Sequence, residues 1–580
     1  MTGVAASGAR LELTWSGKDR HLVSPSDASG RPVWVDRDHP AATEVRLTEF
    51  TGTHGDLDET ANPYADNLLF TGDSLDVLRV LTNTPEFRRV YRGKVKAVYI
   101  DPPFNTGQAF EHYDDWMDHS TWLSFMHARL LLIAELLSDE GSVWVHLDDA
   151  EAHRMRCLMD EVFGAQNFIA DLTVEMNPKG RQLDKFFAGS NDRVLVYAKN
   201  RALVTLECGS KDDVNHADFP KTDENGLAFR HLPLRNTNKK FNPQTARTMH
   251  FAIHGNPRTG KVAMEPFEGS QAIWPVFGDL TPAVWRWSPP KVIAQADELE
   301  CREVSGRVGI RADIFQRDYL GENRTKKLKT VWMSADTGSS DEGKRELKAL
   351  NLNGFDTPKP ERLLKRIIEI ATAPGDIVLD VFGGSGGTAA VAQKLGRRWA
   401  TAEIKQATVD GFTRPRLLKV VNGLDGGGVT KVVGWDGGGG FRTVRVAPSM
   451  YEVTPYGVML ADWATNGKFS RAVAAQLGFD WHPEGPFCGR SGRMRLAVFD
   501  GAVGPEEVHH TVGALADTER VTLVAKAVLP GAEQTLSEAS SGSVIRKAPR
   551  DLLSGSAQRS TRRRMTANER TAQAQKENNQ

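Results

Sequence analysis

Asp101, Pro102, Pro103 and Phe104 follow a short apolar run, Val98–Ile100, and their types and order suit the binding of an amine on a planar ring. Prolines have no N–H to donate, so a turn built on them presents acceptors. The Asp101 carboxylate and the Pro102 carbonyl are two such acceptors, and the Phe104 ring offers a stacking surface. Acceptors that hold both N–H groups of an exocyclic amine free its lone pair for attack on a methyl group, which is electrostatic preorganisation. The residues also fit an ordinary strand-ending turn, because Asp-Pro and Pro-Pro are common in loops.

A second segment with chemical potential lies far downstream, where an apolar run ends in a glycine-rich turn followed by a helical pattern. Glycines let the backbone approach a ligand closely, and the helix N-terminus supplies N–H groups. Strand, glycine turn and helix in succession are typical of nucleotide-type cofactor sites. Glu403 ends the next apolar run, about twenty residues on, where an acid can accept hydrogen bonds from ribose hydroxyls. The residues of this candidate cofactor site are Asp380, Phe382, Gly383, Gly384, Ser385, Gly386, Thr388 and Glu403.

Together the two segments resemble the motifs of S-adenosylmethionine-dependent DNA amino-methyltransferases. Residues 101–104 are similar to the catalytic motif of that family, and the turn around Gly383 is similar to its cofactor loop. The catalytic motif comes first in the chain, which resembles the beta group of the family and the modification subunits of type III restriction systems. Gly-Asp at Asp73 and Lys-Pro at Lys359 also resemble family segments, and the resemblance places both residues near the cofactor. The usual tyrosine is replaced by Phe104, which offers the same stacking surface.

The resemblance implies an α/β protein whose Rossmann-like methyltransferase domain has a mixed, mostly parallel seven-stranded sheet, helices on both faces and a circularly permuted motif order. It also implies an inserted target-recognition domain. Short apolar strands alternating with turns predict a small C-terminal α/β domain. The expected divisions are an N-terminal extension (1–64), the first half of the methyltransferase domain with the catalytic motif (65–200), the target-recognition insertion (201–345), the second half with the cofactor loop (346–443), the C-terminal domain (444–551) and a disordered basic and polar tail (552–580).

Composition agrees with a multidomain globular protein. The chain has 580 residues, of which 40% are hydrophobic and 25% charged, and it contains no apolar run long enough for a membrane span. The N-terminus lacks the pattern of a secretory signal, so a cytoplasmic location is expected. Its four cysteines are far apart in sequence and predict neither a disulfide framework nor a zinc site. The pair His509-His510 lacks a second ligand cluster, and we expect no metal site.

The net charge of −1 does not by itself indicate DNA binding, which depends on Lys and Arg contacts to phosphates. Two locally basic stretches, 230–247 and 311–329, lie inside the expected insertion. Trp274, Trp285 and Trp287 lie between them and could form either an aromatic surface or the core of the insertion. We interpret the region as one that follows the DNA backbone and reads bases in the major groove.

The resemblance implies transfer of a methyl group from S-adenosylmethionine to the N6 amine of an adenine flipped out of duplex DNA. Aspartate at position 101 favours adenine, because relatives that methylate cytosine N4 tend to carry serine there. Cytosine N4 methylation, methylation of RNA or protein amides, and a catalytically silent DNA-recognition subunit stay as alternatives. The implied partners are double-stranded DNA, a second copy of the chain in a homodimer, and a separate helicase–nuclease restriction subunit, since the sequence has no P-loop of its own.

Overall fold

The computed structural model describes residues 13–23, 33–36, 40–105, 109–110, 113–114, 118–181, 185–210, 216–306, 309–320, 326–454 and 457–553. The tail predicted to be disordered lies, from residue 554 onward, outside the described residues. The chain divides into two units, here called unit 1 (residues 1–207 and 329–580) and unit 2 (Cys208–Leu328). The finer domain boundaries expected from the sequence stay a prediction.

A single large sheet organises unit 1. In chain order its strands are β1 (Thr48–Gly55), β2 (Leu68–Thr71), β3 (Val95–Ile100), β4 (Leu137–Leu147), β5 (Phe168–Glu175), β6 (Asn191–Ala198), β7 (Val331–Trp332), β8 (Ile377–Asp380), β9 (Arg398–Glu403) and β10 (Gly440–Val446). Their spatial order is β7-β5-β6-β4-β3-β8-β9-β2-β10-β1. Strands β4, β3, β8, β9, β2 and β10 are successive parallel neighbours. The predicted mixed, mostly parallel Rossmann-like sheet is confirmed.

The sheet has ten strands instead of the seven expected, because three further segments pair with its edges. At one edge β7 pairs in parallel with β5, and at the other β10 pairs with β2 and β1 pairs antiparallel with β10. A sheet edge presents unpaired N–H and C=O groups, so a short flanking segment can extend it. Strand β1 comes from the stretch expected to be an irregular N-terminal extension.

Helices cover the sheet and connect its parallel strands. Those of unit 1 with seven or more residues are α1 (Ser74–Asn83), α2 (Pro85–Tyr91), α3 (His119–Leu136), α4 (Ala152–Met159), α5 (Ser340–Ala349), α6 (Glu361–Ala371), α7 (Gly387–Lys394), α8 (Arg414–Val421), α9 (Asn466–Leu477), α10 (Pro505–Gly513) and α11 (Ala532–Ala539). Strand β8 is buried at every position, which is expected of a parallel strand covered on both faces. Asp118 caps α3 by accepting hydrogen bonds from Ser120 N and Thr121 N.

The C-terminal part of unit 1 contains a second sheet. Its strands are β11 (Asp480–Glu484), β12 (Phe487–Ser491), β13 (Met494–Val503), β14 (Arg520–Val528) and β15 (Val544–Lys547), in that spatial order. Strands β13, β14 and β15 are parallel, and helices α10 and α11 connect them. The region therefore combines strands and helices, and its status as a separate C-terminal domain stays a prediction.

Unit 2 is built mainly from strands. Its four-stranded sheet has the order Lys221–Thr222, Ala228–Pro233, Gly309–Tyr319 and Leu299–Gly306, and a three-stranded sheet has the order Val262–Ala263, Ile253–Gly255 and Gln271–Ile273. Gly209–Ser210 pairs antiparallel with Lys326–Lys327 where the chain enters and leaves the unit. Trp285 and Trp287 are buried in its core, whereas Trp274 is 50% exposed. Only Trp274 of the three tryptophans therefore offers substantial aromatic surface.

None of the helices in the described part of the chain combines the length and apolar character that a membrane crossing requires. Within the same residues, no three His, Cys, Asp or Glu side chains are grouped so that they could hold a metal ion.

Candidate active site

The predicted site residues lie at the end of the large sheet where its parallel strands have their carboxyl ends. Asp101 follows β3, Asp380 ends the adjacent β8, and Glu403 ends β9 beyond it. Asp73 follows β2, the next parallel strand. Ligands of open parallel sheets bind outside the carboxyl ends of the strands. The fold thus brings the catalytic and cofactor segments, which are far apart in sequence, to adjacent strand ends.

A salt bridge fixes the Asp101 carboxylate. Lys359 Nζ donates a hydrogen bond to Asp101 Oδ2 at 2.7 Å and lies 4.9 Å from the centroid of the Phe104 ring, a cation–π distance. Asp101 Oδ1 is buried and has no hydrogen-bond partner among the described residues. Pro102, the next residue, is buried. Buried polar atoms nearly always have partners, so Oδ1 is an acceptor whose hydrogen-bonding capacity the described residues do not use.

The Phe104 ring is supported by a buried histidine. Its plane lies 17° from that of the His146 imidazole, with ring centroids 6.2 Å apart. His146 lies on β4, where Nδ1 is 2.9 Å from the Tyr99 hydroxyl and Nε2 is 3.0 Å from Asp192 Oδ2. Hydrogen bonds to both ring nitrogens fix the imidazole, and the imidazole in turn orients the Phe104 ring.

Two carboxyl groups beside this histidine have shifted pKa values. Burial alone would raise the pKa of Asp192, but the hydrogen bond and charge of His146, with the charges of Lys359 and Arg181, lower it. Burial raises the pKa of Asp148 to about 6, and the charge of Asp192 adds to this rise. Near the Asp101–Phe104 turn, Asp192 is therefore an ionised acid, whereas Asp148 has a pKa of about 6.

The turn after Asp101 is also held from its outer side. Trp122 Nε1 donates a hydrogen bond to the Pro103 carbonyl at 2.8 Å. Asn105 has a left-handed backbone with φ of 60°, and its side-chain amide donates to Glu151 Oε1 at 2.7 Å. His119 Nδ1 lies 2.6 Å from the same oxygen. Helices α3 and α4 thus fix the turn through polar contacts that apolar periodicity does not reveal.

The glycine turn after β8 is packed against the neighbouring chain. A Cβ at Gly383 would overlap Thr401 Oγ1, so no larger residue fits there without movement. Gly386 has φ of 79° and is the N-cap of α7. Thr413 Oγ1 donates to the Gly384 carbonyl at 2.6 Å. The turn therefore has the close backbone packing and the helix start that a nucleotide-type cofactor requires.

Glu403 is buried and its orientation is fixed by backbone donors. Gly384 N donates to Oε2 at 3.0 Å, and Lys405 N donates to Oε1 at 3.0 Å. Ribose hydroxyls donate hydrogen bonds, and a carboxylate held in place by backbone donors at a strand end can accept them. The acid and the adjacent glycine turn therefore fit a ribose-containing cofactor such as S-adenosylmethionine.

Asp380 lies fully buried beneath the same turn. Phe382 N donates to its Oδ1 at 2.9 Å, and the Thr388 hydroxyl also hydrogen-bonds to the carboxyl group. Burial nevertheless raises the pKa of Asp380 to about 7, and the charges of Asp101 and Glu403 contribute to the rise. This carboxyl group is thus a structural element of the turn whose charge depends on pH near neutrality.

Asp73 contacts an arginine that the sequence analysis missed. Arg129 Nη2 lies 3.0 and 2.9 Å from the two Asp73 oxygens, and its Nε donates to Ser74 Oγ at 2.7 Å. Its guanidinium carbon is 3.5 Å from the centroid of Phe125, whose ring contacts Phe382. The available signal was a charged residue on the apolar face of α3, because such a residue must find a partner.

A buried ionic cluster lies under the cofactor turn. Glu361 accepts hydrogen bonds from Lys394 Nζ at 2.8 and 2.7 Å and from Arg416 Nη2 at 2.8 Å. Lys394 also pairs with Asp425, and Arg416 Nη1 donates to Ser385 Oγ at 3.3 Å. All four charged side chains are almost completely buried. The cluster joins α6, α7 and α8 to a predicted cofactor residue, Ser385.

Several basic residues of unit 2 are already paired. Arg230, Arg235 and Arg317 form ion pairs with acids of the same unit. Lys240 and Arg247 are exposed, so the surface charge suited to phosphate is smaller than the sequence alone indicates. Trp274 packs on His250 with ring centroids 5.1 Å apart.

Comparison with known proteins gives the family. Residues 95–414 match the family model described as DNA methylase, which is more than half of the chain. The chain belongs to the DNA methylase family. Of the predicted site residues, only Asp73 lies outside the matched segment.

Curated members of the family are similar over a large part of this chain. The EcoPI Mod subunit of a type III restriction-modification enzyme from Escherichia phage P1 is 29% identical over 374 residues, 58% of this chain and 56% of that protein. The probable HindVI Mod subunit from Haemophilus influenzae is 29% identical over 422 residues, which are 66% of this chain and 54% of that protein. The type II methyltransferase M.KpnI from Klebsiella pneumoniae is 27% identical over 366 residues, which are 61% of this chain and 80% of that protein. The matched segments span about half the length of the Mod subunits.

Among solved structures, the PvuII DNA methyltransferase, described as cytosine-N4-specific, aligns with 62% of this chain and 90% of its own. The sequence identity is 14% and the TM-score is 0.33.

Proposed function

We propose that the chain transfers a methyl group from S-adenosylmethionine to the N6 amine of an adenine flipped out of duplex DNA. The observation that carries the proposal is the asymmetry of Asp101. Lys359 holds Oδ2 and lies 4.9 Å from the centroid of the Phe104 ring, while Oδ1 is buried and has no partner among the described residues. A fixed acceptor next to an aromatic face is what an exocyclic amine on a planar base requires.

The cofactor would bind at the glycine turn of residues 383–386, with Glu403 accepting hydrogen bonds from its ribose. Asp73, Phe382 and Thr388 complete the proposed set of residues around it. When bound, S-adenosylmethionine supplies an electrophilic methyl group on a sulfonium. Residues of β8 and β9 hold the donor and residues of β3 hold the acceptor, so the adjacency of these strands supplies proximity, which contributes strongly to catalysis.

In the proposed reaction, flipping the adenine out of the duplex costs a few kcal/mol, which binding in the pocket must offset. Phe104 stacks on the base, and His146 keeps that ring in place. Asp101 Oδ1 and the Pro102 carbonyl accept the two N6 hydrogens, which leaves the nitrogen lone pair free. The nitrogen–methyl bond then forms as the sulfur–methyl bond breaks, and the displaced proton leaves to Asp101 or to solvent.

Unit 2 is proposed to recognise the target sequence. Its exposed Lys240 and Arg247 suit phosphate contacts, and the half-exposed Trp274, which packs on His250, offers an apolar surface. Base-specific contacts would come from side chains of the same unit. The ion pairs at Arg230, Arg235 and Arg317 instead stabilise its four-stranded sheet.

The chain is proposed to act as the modification subunit of a cytoplasmic restriction-modification or phage-defence system. Support comes from the relatives, several of which are Mod subunits of type III restriction-modification enzymes. A homodimer and a separate helicase–nuclease subunit belong to the same proposal. Purification with the products of neighbouring genes tests both partners.

The direct test is to express the full chain and analyse the DNA of the cells. Digestion to nucleosides is expected to release N6-methyladenine, and methylation-sensitive sequencing is expected to place it in one short motif. Asp101→Ala should abolish transfer and retain DNA binding, because the carboxylate orients the amine and not the duplex. Asp149→Asn changes an exposed acid near the same edge and should retain activity. N4-methylcytosine in place of N6-methyladenine would overturn the choice of base, and a fully active Asp101→Ala variant would overturn the mechanism.

A further inference from the structure

Two phenylalanines beside the candidate active site are almost fully exposed. Phe186 is 83% exposed and Phe187 is 92% exposed, the two highest values among the large apolar residues exposed in the described part of the chain. A single exposed apolar side chain is common, but two adjacent aromatic rings outside any core commonly mark a contact surface. They lie in the loop of residues 176–190, which connects β5 to β6.

The base of this loop is ordered by backbone hydrogen bonds. Met176 N and Asn177 N both donate to the Ser190 carbonyl at 3.0 Å, and Arg181 N donates to the Gly189 carbonyl at 2.9 Å. These bonds join the two ends of the loop, and both phenylalanines lie in the stretch of sequence between them. The exposed rings are therefore carried on a constrained base at the sheet edge.

The loop leaves the sheet at the carboxyl end of its parallel strands, where the candidate active site lies. Its end leads into β6, where Arg193 pairs with Leu147 at the end of β4. Asp192, five residues after Phe187, contacts His146, on which Phe104 stacks. Five extended residues span at most about 17 Å, so the exposed rings lie within that length of chain from the site.

The charge around the loop suits a polyanion. Arg181 and Lys185 are exposed, and the segment contains one acid, Asp184. Lys179 is exposed as well but forms an ion pair with Asp341 at 2.9 Å. Lys185 Nζ lies 5.2 Å from the centroid of the Phe186 ring. The charge of Arg181 also contributes to the lowered pKa of Asp192, which places this arginine electrostatically near the site. Exposed apolar rings that follow basic residues in the same loop match a duplex, whose phosphates flank a stack of bases.

We infer that Phe186 and Phe187 form a wedge that enters the DNA base stack and fills the space left by the flipped adenine. The inference rests on the proposed function, because a wedge is needed only if a base leaves the duplex. Arg181 and Lys185 contact phosphates next to the gap, while a phenylalanine ring replaces the lost stacking. The wedge lowers the cost of flipping and takes no part in methyl transfer.

The test compares single-turnover methylation by the full chain and by Phe186→Ala/Phe187→Ala on two duplexes that carry the recognition sequence found by sequencing. One duplex is fully paired, and the other has an abasic site opposite the target adenine, which removes part of the flipping cost. We expect the double alanine variant to lose at least about tenfold in rate on the paired duplex and to recover to within about threefold of wild type on the abasic duplex. Phe186→Leu/Phe187→Leu should retain most of the rate, because apolar bulk is kept.

Met459→Ala/Leu529→Ala removes two exposed apolar side chains from the C-terminal region and should match wild type on both duplexes. Cofactor affinity and oligomeric state should be unchanged in all variants. Wild-type rates for the double alanine variant on paired DNA, an equal loss on both duplexes, or a change of oligomeric state would each overturn the wedge. A wild-type chain that methylates no DNA would overturn the proposed function, and the wedge with it.

Discussion

His146 Nε2 lies 3.0 Å from Asp192 Oδ2, and this buried pair supports the ring of Phe104 from behind. Neither residue belongs to the Asp-Pro-Pro-Phe turn, and both come from strands on the same side of β3. The turn is therefore preorganised by residues that would not touch the substrate, and their substitution should change the turnover rate and stability to different extents.

His146→Ala should lower kcat by about fivefold, because the aromatic pair that orients Phe104 contributes about 1 kcal/mol. His146→Phe should keep kcat closer to wild type, since a ring remains. It should still lower the free energy of unfolding by about 1–3 kcal/mol, because Asp192 loses its buried donor. Steady-state kinetics and urea unfolding measure the two effects. His153→Ala, which changes an exposed histidine on α4, serves as the control. Equal losses of kcat in His146→Ala and His146→Phe would contradict a positioning role for the ring.

Lys359→Met should lower kcat/KM for DNA on the order of 100-fold, the effect of losing about 3 kcal/mol of transition-state stabilisation. The cation holds Asp101 Oδ2 at 2.7 Å, so its removal frees the carboxylate to rotate away from the amine. Cofactor affinity, measured by calorimetry, should change by less than about threefold. Lys348→Met, an exposed lysine, is the matched control. A large loss of cofactor affinity would show that Lys359 acts on the cofactor, as the family resemblance implies, and not through Asp101.

The raised pKa of Asp380 predicts a pH-dependent stability. The unfolded chain releases this proton near the ordinary pKa of 3.8, whereas the folded chain holds it to about pH 7. The folded state binds more protons between these values, so the stability should fall as pH rises through this window and level off above it. Asp380→Asn should remove this loss, on the order of 4 kcal/mol. Urea unfolding midpoints measured from pH 4.5 to 8, in steps of about one unit, test this pH dependence. Asp462→Asn, which changes an exposed acid, is the control. Identical pH profiles for wild type and Asp380→Asn would contradict the prediction.

Glu361→Ala should destabilise the chain by about 3–5 kcal/mol, because Lys394 and Arg416 would be left buried without their shared carboxylate. Glu369→Ala, on the same helix, removes a partly exposed pair with Lys365 and should cost less than about 1 kcal/mol. Denaturant unfolding compares the two variants. Equal costs would mean that the buried cluster contributes no more to stability than the surface pair.

Lys240→Ala/Arg247→Ala should reduce the salt dependence of DNA binding. Each phosphate contact that is lost should lower the slope of log affinity against log salt concentration by about 0.9. Fluorescence anisotropy with one duplex at several salt concentrations measures the slope. Lys468→Ala, an exposed lysine of the C-terminal region, should leave it unchanged. A slope that falls only in the Lys468→Ala variant would move the DNA contact away from unit 2.

The residues of the site that could be predicted from the sequence are those that end strands. Asp101 and Glu403 terminate apolar runs, and parallel strands end at a common edge, so their proximity follows from the pattern. The partners of the site could not be predicted in this way. Lys359 contacts Asp101 across 258 positions and Arg129 contacts Asp73 across 56, and no local periodicity reports such a pairing.

The fold shows the same division between local and long-range information. The long strands and α3 follow from apolar periodicity, whereas β7 has two residues and is defined only by its pairing with β5. Trp274, Trp285 and Trp287 carry the same signal in sequence, although two are core residues and one is half-exposed. Burial of a tryptophan depends on the strands around it, which only the three-dimensional structure provides.

The chain enters and leaves unit 2 through one pair of antiparallel strands, and this pairing suggests how the chain could acquire a new specificity. Gly209–Ser210 lies against Lys326–Lys327, and Leu328 N donates to the Cys208 carbonyl at 3.0 Å, so the chain enters and leaves the unit at nearly the same point. A replacement of everything between these strands needs only to present two ends a similar short distance apart. Under the proposed role of unit 2 in target recognition, recombination at these two strands would exchange the recognised sequence in one event while every strand of the large sheet keeps its register.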